Sequence, residues 1–246
     1  MQPLPTLTTK ALIDSGYDLL QAADDDWFMA SISGSSAKVA VKAMGTDTLL
    51  AVPEHGVMER IGLPPAVHPL LPDMVSAGIA SNAAQLYEAL RLLHSLQVHP
   101  ATTLSAEVEA RLAAIPVTER TREVRQRIGQ DVFRGALIDL WQGRCALSGV
   151  EFPPSLLRAS HAKPWAQASD EERLDPFNGL LLAVHYDALF DQGLIAFGDD
   201  GQVIVSASLT EEVRRLLCLN TSSRLRFVLP GHKEYLSFHR RSVAGL

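Results

Sequence analysis

The chain has 246 residues and a net charge of −6, and its 47% hydrophobic and 20% charged residues are ordinary globular composition. This length allows one large domain or two modest ones. No apolar run approaches the roughly 20 residues needed to cross a bilayer, and residues 1–10 lack the regions of a signal peptide. The composition therefore excludes a membrane partner and predicts a cytoplasmic location.

Cysteine usage points to a reducing environment. The chain has only two cysteines, Cys145 and Cys218. Two are too few for a disulfide framework and too few for a four-cysteine zinc site. We therefore expect both thiols to be reduced, and we expect no structural zinc.

The first hundred residues predict a small α+β domain. Helical apolar spacing covers residues 7–23 and returns over residues 80–96. Three short strands are predicted between these helices, separated by Ser-Gly-Ser-Ser and Gly-Thr-Asp turns. The strands cover residues 27–32, 37–43 and 48–52.

A domain boundary is predicted near residues 99–103. Pro100 ends the preceding helix, and Thr103 or Ser105 can cap the next one. This divides the chain into an N-terminal α+β domain, a helical connector and a C-terminal domain. The three parts are expected at residues 1–100, 101–140 and 141–246.

Positive charge is concentrated around the end of the predicted connector, which should hold one helix at residues 105–114 and another after Thr118. The segment from Glu119 to Lys163 contains eight Lys/Arg residues and five Asp/Glu residues, a local charge of +3 that leaves −9 on the remaining residues. Contact with phosphate depends on such local patches rather than on net charge. A solvated helix face with ordinary ion pairs is the alternative interpretation.

Three short motifs follow in the C-terminal part. They read Ser160-His-Ala-Lys-Pro-Trp, Asn178-Gly-Leu-Leu-Leu and Asp187-Ala-Leu-Phe-Asp-Gln-Gly-Leu. In this order and spacing they resemble the HNH (ββα-metal) endonucleases. The similarity is to the subgroup whose core reads Ser-His-x-Lys-Pro-Trp, Asn-Gly-Leu-x-Leu and Asp-x-Leu-Phe-Asp-x-Gly-Leu. It covers residues 117–209 strongly and the tail to Arg241 more weakly, but not the first hundred residues.

The resemblance implies an α+β chain with a ββα-metal core that hydrolyses DNA phosphodiester bonds. His161 would be the general base that deprotonates water, a task that suits an imidazole with an ordinary pKa near 6.5. Asn178 would hold two strands of the finger in register through hydrogen bonds to backbone groups, and Gly179 would allow the geometry of the turn.

A metal site is expected on the helix of the third motif. Asp187 and Asp191 are four residues apart, so their side chains share one helix face. Their oxygen ligands suit one Mg²⁺ or Mn²⁺ per site. Asp187 is the firmer ligand, because Asp191 could instead cap the turn at Gly193. Ser160 stands where many relatives carry a metal-binding Asp or His, and its neutral hydroxyl predicts weaker binding.

Six cations near the motifs are candidates for contacts with the DNA backbone, where binding gives affinity without sequence information. They are Arg122, Arg125, Arg127, Arg144, Arg158 and Lys163. Lys163 lies inside the first motif and is the strongest candidate. Some of the others would be ordinary surface residues.

The role of the N-terminal domain stays open at this point. By analogy with other proteins that carry such a core, it could select targets in restriction or phage defence. Its few basic residues make protein association, including a homodimer, a serious competitor. For the whole protein, the alternative to a DNase is a non-catalytic DNA- or partner-binding protein that keeps an HNH scaffold; an RNA nuclease is a further alternative.

Overall fold

The computed structural model describes residues 3–98, 101–115 and 122–245, without the side chains of residues 101–103 and 122. The start of the second connector helix, predicted after Thr118, lies outside these residues. The chain divides into two compact units, Met1–Val98 and His99–Leu246. In the described ranges, every helix is too short or too polar to cross a membrane.

The N-terminal unit is built on a five-stranded antiparallel sheet whose strands follow chain order. Helix α1 (Thr6–Asp14) precedes the sheet, α2 (Val57–Arg60) lies between its fourth and fifth strands, and α3 (Ala83–Val98) follows it. The strands are β1 (Leu19–Ala22), β2 (Phe28–Ser31), β3 (Lys38–Met44), β4 (Asp47–Val52) and β5 (Ser76–Ala80).

Most of the elements predicted for this unit have a counterpart in the structure. The three predicted strands correspond to β2, β3 and β4, and the predicted second helix corresponds to α3. The first predicted helix is wrong beyond Asp14. Gly16 takes a φ of 93°, a left-handed conformation that interrupts a right-handed helix, and the chain then pairs with β2 as edge strand β1.

The C-terminal unit contains two β-hairpins and six α-helices among the described residues. The first helices are α4 (Ala101–Ala113) and α5 (Arg122–Leu140). The first hairpin pairs β6 (Leu157–His161) with β7 (Gly179–Ala183), with α6 (Asp170–Leu174) between them and α7 (Val184–Asp191) directly after. The remaining elements are β8 (Ile195–Phe197), β9 (Val203–Val205), α8 (Glu211–Leu216) and α9 (Pro230–His239).

Helix α5 packs against both strands of the first hairpin, and this contact explains Gly179. The φ of Gly179 is −137°, which any residue can adopt, so the expectation that glycine serves turn geometry here is wrong. A Cβ on Gly179 would instead lie 2.5 Å from Cζ of Phe133 and 2.6 Å from Cδ1 of Leu137. The missing side chain lets α5 approach the end of β7, where Gly179 pairs with His161.

Candidate active site

His161 ends strand β6, and aromatic rings hold its side chain in place. Its ring stacks on Phe133 of α5, with ring centres 3.9 Å apart, and meets Trp165 edge-on at 5.5 Å. Its Nε2 donates a hydrogen bond to the backbone carbonyl of Arg173, 2.9 Å away. Because the carbonyl can only accept, the proton of a neutral ring lies on Nε2 and the free lone pair lies on Nδ1.

The surroundings of His161 favour its neutral form. Burial lowers the pKa of the imidazole below its ordinary value; the hydrogen bond to the Arg173 carbonyl opposes this effect, and the positive charge of Arg173 adds to it. An imidazole whose pKa lies below its ordinary value of 6.5 is mostly unprotonated at neutral pH. His161 can therefore accept a proton at Nδ1 without first losing one.

Asn178 is fully buried, and its amide holds the loop that follows His161. Its Oδ1 accepts from the backbone N–H of Lys163 at 2.7 Å. Its Nδ2 donates to the carbonyls of Glu172 at 2.9 Å and Lys163 at 3.3 Å. The side chain thus joins the end of β6 to helix α6, which carries the Arg173 carbonyl that orients His161.

Ser160 and Asp187 are joined directly across the hairpin and the following helix. The Ser160 hydroxyl donates to Oδ1 of Asp187 at 2.5 Å. Ser160 is buried in β6, whereas Asp187 lies in the first turn of α7 and is partly exposed. This hydrogen bond fixes one carboxylate oxygen of Asp187 and leaves the other for a further partner.

Asp191 is the last residue of α7, one helical turn beyond Asp187. Burial and, secondly, the negative charge of Asp187 raise the pKa of Asp191 to about 6. The second cause is consistent with two carboxylates near enough for their charges to repel one another. A cation between such groups would reverse the effect.

The raised pKa of Asp191 predicts a pH-dependent stability for the metal-free protein. Its folded pKa, about 6, is above the ordinary value of 3.8, so this carboxyl stabilises the fold below about pH 4 and loses that contribution as the pH rises through 6. The neutral variant Asp191→Asn should therefore match the wild-type melting temperature near pH 4 and exceed it near pH 7. Thermal unfolding with a chelator tests this; a difference that does not change with pH would contradict it.

Four of the predicted site residues line one cleft of about 370 Å³, here called the His161 cleft. They are Ser160, His161, Asp187 and Asp191. The other lining residues belong to α5, β6, the loop after β6, α9 and the turn after α9. They are Gln130, Ala159, Pro164, Trp165, His239 and Val243. Asn178 is not part of the lining and acts behind it, on the loop after β6.

The donors in the His161 cleft fit a hard cation held partly by other ligands. Within the described ranges, no group of three or more His, Cys, Asp and Glu side chains is arranged to hold a metal ion. Mg²⁺ is commonly bound through one or two carboxylates, with water and substrate phosphate completing its shell. Asp187 and Asp191 meet that requirement, and their mutual repulsion favours a cation.

Three of the six predicted DNA-contacting cations pair with carboxylates. The pairs are Lys163 with Glu172, Arg144 with Glu151 and Arg125 with Glu109. Lys163 Nζ lies 2.6 Å from Glu172 Oε1 in a partly buried setting, so this lysine ties the loop after β6 to helix α6. The Arg144 and Arg125 pairs are exposed, where such pairs contribute little and can exchange for phosphate.

The other three cations have different settings. Arg158 is exposed, and its Nη1 donates to the backbone carbonyls of Ser155 and Leu157. Arg127 is exposed on α5, and none of the described side chains pairs with it. The side chain of Arg122 lies outside the described part of the chain. The structure therefore brings neither Arg127 nor Arg158 into the lining of the His161 cleft.

Cys145 has a structural setting. It is fully buried, and its sulfur accepts a hydrogen bond from the backbone N–H of Ala183, the residue before α7, at 3.4 Å. Cys218 is exposed. The Cys145 thiol therefore connects the segment before the first hairpin to the start of the helix that carries Asp187.

Sequence reasoning missed three aromatic residues at this site: Phe133, Trp165 and His239. Phe133 stacks on His161 from a helix distant in sequence, and no local pattern indicates that contact. Trp165 belongs to the first motif, and its presence there was the available signal. His239 belongs to the tail that resembles the subgroup, but its spacing from the motifs does not indicate a role.

Residues 145–198 match the HNH endonuclease family. The matched segment is 54 of the 246 residues and contains the first hairpin, α7 and the four predicted residues of the His161 cleft. This segment is therefore similar to an HNH endonuclease domain, which supports nuclease activity in general. No curated protein matches the chain. The narrower motif subgroup stays a prediction.

Proposed function

We propose that this protein is an endonuclease that hydrolyses DNA phosphodiester bonds with one Mg²⁺ or Mn²⁺. The observation that carries the proposal is the His161 cleft. There, an imidazole with its lone pair on Nδ1 shares one space with two interacting carboxylates. The hairpin β6–β7 and helix α7 would be the ββα-metal core. The match of residues 145–198 to a nuclease family supports the reaction class.

His161 performs the proton transfer in this proposal. Its Nδ1 removes a proton from a water molecule, which attacks phosphorus in line with the departing 3′ oxygen. The Arg173 carbonyl holds the opposite side of the ring, and Phe133 supports its face, so the imidazole does not need to reorient during the reaction. The products carry 5′-phosphate and 3′-hydroxyl ends.

Asp187 and Asp191 would hold the cation. When bound, a divalent cation stabilises negative charge on the phosphoryl group and on the departing oxygen. Ser160 was expected at a ligand position; its proton is directed at Asp187, so we assign it the orientation of that carboxylate. Asn178 fixes the loop between His161 and α6 and thereby the position of the base.

Contacts with the nucleic acid would come from the surface around the His161 cleft. Arg127 and Arg158 are exposed and carry no carboxylate partner in the described ranges, so phosphate can reach them without breaking an ion pair. Arg125 and Arg144 would exchange an exposed carboxylate partner for phosphate. Such contacts bind the backbone of DNA independently of sequence.

Incubating the full chain with supercoiled plasmid DNA tests the proposal. We expect nicked or linear product with Mg²⁺ or Mn²⁺ and none with a chelator. Structured RNA and single-stranded DNA, tested in parallel, separate a DNase from an RNA nuclease. If the protein cuts none of these substrates and calorimetry detects no Mg²⁺ or Mn²⁺ binding even with DNA, the non-catalytic binding protein is the correct alternative.

For the N-terminal unit, association with protein is favoured over the reading of DNA. Three of its five basic residues are in ion pairs: Lys10 with Asp14, Lys38 with Asp73 and Arg91 with Glu88. The unit also carries ten Asp/Glu residues against its five Lys/Arg residues, a net charge of −5 that disfavours contact with a phosphate backbone. The homodimer and the role in restriction or phage defence stay predictions.

A further inference from the structure

The C-terminal helix contributes to the His161 cleft although it lies outside the segment that matches the nuclease family. The matched segment ends at residue 198, whereas α9 spans Pro230–His239. His239 and Val243, from α9 and the turn after it, both line the cleft. His239 is 1% exposed, so its side chain belongs to the core that surrounds the cleft.

His239 contacts the helix that carries both carboxylates. Its ring stacks on Phe190 with ring centres 3.7 Å apart and an angle of 8° between the planes. Its Nε2 donates to the backbone carbonyl of Phe190 at 2.9 Å. Phe190 belongs to α7 and lies between Asp187 and Asp191 in sequence.

The end of α7 needs support from outside the helix. The helix has eight residues, and Asp191 is the last of them, where helices leave carbonyls unsatisfied and tend to fray. The Phe190 carbonyl is one of these groups; it accepts from the N–H of Gly193 and from His239. The position of a carboxylate on the last residue therefore depends on how firmly the end of the helix is held.

The turn after α9 packs against the same end. A Cβ on Gly193, two residues after Asp191, would lie 2.6 Å from the Val243 carbonyl oxygen and 2.8 Å from Cα of Ala244. This close approach is possible because Gly193 has no side chain. His239 and the turn that follows it therefore hold both the last turn of α7 and the residue just beyond it.

The His239 ring adds a hydrogen-bond donor without adding charge. Burial lowers its pKa to about 4, so the imidazole is neutral near pH 7. Its Nδ1 is buried and has no hydrogen-bond partner among the described residues. Within the described part of the chain, the one hydrogen bond of the ring is therefore the bond from Nε2 to the end of α7.

We propose that His239 is a positioning residue for the metal site: it holds the end of α7 so that Asp187 and Asp191 can share one Mg²⁺ or Mn²⁺. It acts through Phe190 rather than as a ligand. This inference rests on the proposed function, because it assumes that the two carboxylates bind a cation. It assigns a role to a segment beyond the part of the chain that matches the nuclease family.

Calorimetric titration of the full chain with Mn²⁺ tests this role without measuring activity. His239→Phe keeps an aromatic ring against Phe190 but removes the donor, so we expect Mn²⁺ affinity to fall by about tenfold or more, as for other residues that orient ligands. His239→Gln can place an amide N–H near the Nε2 position and should retain most of the affinity. Wild-type affinity in the folded Phe variant, or no Mn²⁺ binding by the wild type, would overturn the proposal.

His232 supplies the matched control. It is on the same helix and equally buried, but it packs against Trp141 and Phe177 and does not line the cleft. His232→Phe should change the melting temperature without changing Mn²⁺ affinity. An equal loss of affinity in this variant would show a general packing effect and overturn the positioning role.

Two further comparisons keep the test decisive. If His239→Phe does not fold, His239→Gln is compared with His239→Asn, whose shorter amide aligns with Nδ1 and should bind Mn²⁺ more weakly than the Gln variant; equal affinities would overturn the proposal. Cleavage is measured separately. One outcome would contradict the proposed function while supporting this inference. In it, the wild type binds Mn²⁺ and the His239 variants lose affinity as expected, but the wild type cuts no nucleic acid.

Discussion

Replacing His161 by Gln is expected to reduce the rate of DNA cleavage by a factor of about 10³, within the range found for the loss of a general base. The Gln side chain can still donate to the Arg173 carbonyl, which now accepts from Nε2 of His161. It has no lone pair equivalent to Nδ1 that could accept a proton at neutral pH. The substitution therefore removes the base while keeping the hydrogen bond that positions it.

The measurement is the initial rate of plasmid cleavage at saturating Mg²⁺ or Mn²⁺, together with the melting temperature of each variant. His161→Ala should lose as much activity but should also be less stable, because it removes the ring that stacks on Phe133. His185→Gln is the control: His185 is on α7 but does not line the cleft. Equal rates for wild type and both His161 variants would remove the assignment of the base.

The N-terminal sheet shows where sequence patterns predict structure well. Strands β3 and β4 are central in the sheet and largely buried, so their apolar runs identify them. β1 is an edge strand whose four residues are all exposed, and no alternating pattern distinguishes it from the end of a helix. The left-handed conformation of Gly16 decides between them, and a glycine alone does not reveal its φ.

The chemistry-bearing side chains of the candidate site were predictable, whereas their supports were not. Ser160, His161, Asp187 and Asp191 occur in local motifs, and the structure brings them into one cleft. The groups that hold them are contacts between distant segments, such as Phe133 on His161 and His239 on Phe190. A backbone carbonyl, such as that of Arg173, carries no sequence signal at all.

For the six candidate DNA-contacting cations, the sequence showed where positive charge lies but not which group each charge contacts. Lys163 was the strongest candidate for phosphate contact because it lies in the first motif. Its ammonium group is held by Glu172, which also caps α6 through its bond with Ser169. Sequence spacing gives no means to distinguish a lysine that pairs across a loop from one that faces solvent.

Asp187→Asn is expected to lower Mn²⁺ affinity by about 100-fold, the upper end of the range for loss of a group that supports a metal ligand, because a proposed ligand itself is changed, and to reduce cleavage correspondingly. Its amide oxygen can still accept from the Ser160 hydroxyl, so the contact between β6 and α7 is retained. The change removes one of the two negative charges that would hold the cation. It therefore separates loss of charge from loss of structure.

The metal-free form of this variant gives an independent measurement. The charge of Asp187 is the second cause, after burial, of the raised pKa of Asp191, so neutralising it should lower the pKa of Asp191 from about 6 toward its ordinary value. Carboxyl titration by NMR detects this shift without metal or substrate. An unchanged pKa would mean that the two carboxylates do not interact and that they do not form one cation site.

Glu212→Gln is the control for a general change in charge, because Glu212 is exposed on α8 and does not line the His161 cleft. It should bind Mn²⁺ and cut DNA like the wild type. Asp187→Asn weakens the binding of the cation, but it also removes the negative charge that helps to raise the pKa of Asp191. A higher Mn²⁺ concentration should therefore restore part of its cleavage. His161→Gln should not respond in this way, because added cation cannot replace a missing proton acceptor. A variant of Asp187 that binds Mn²⁺ and cuts DNA as the wild type does would place the metal elsewhere.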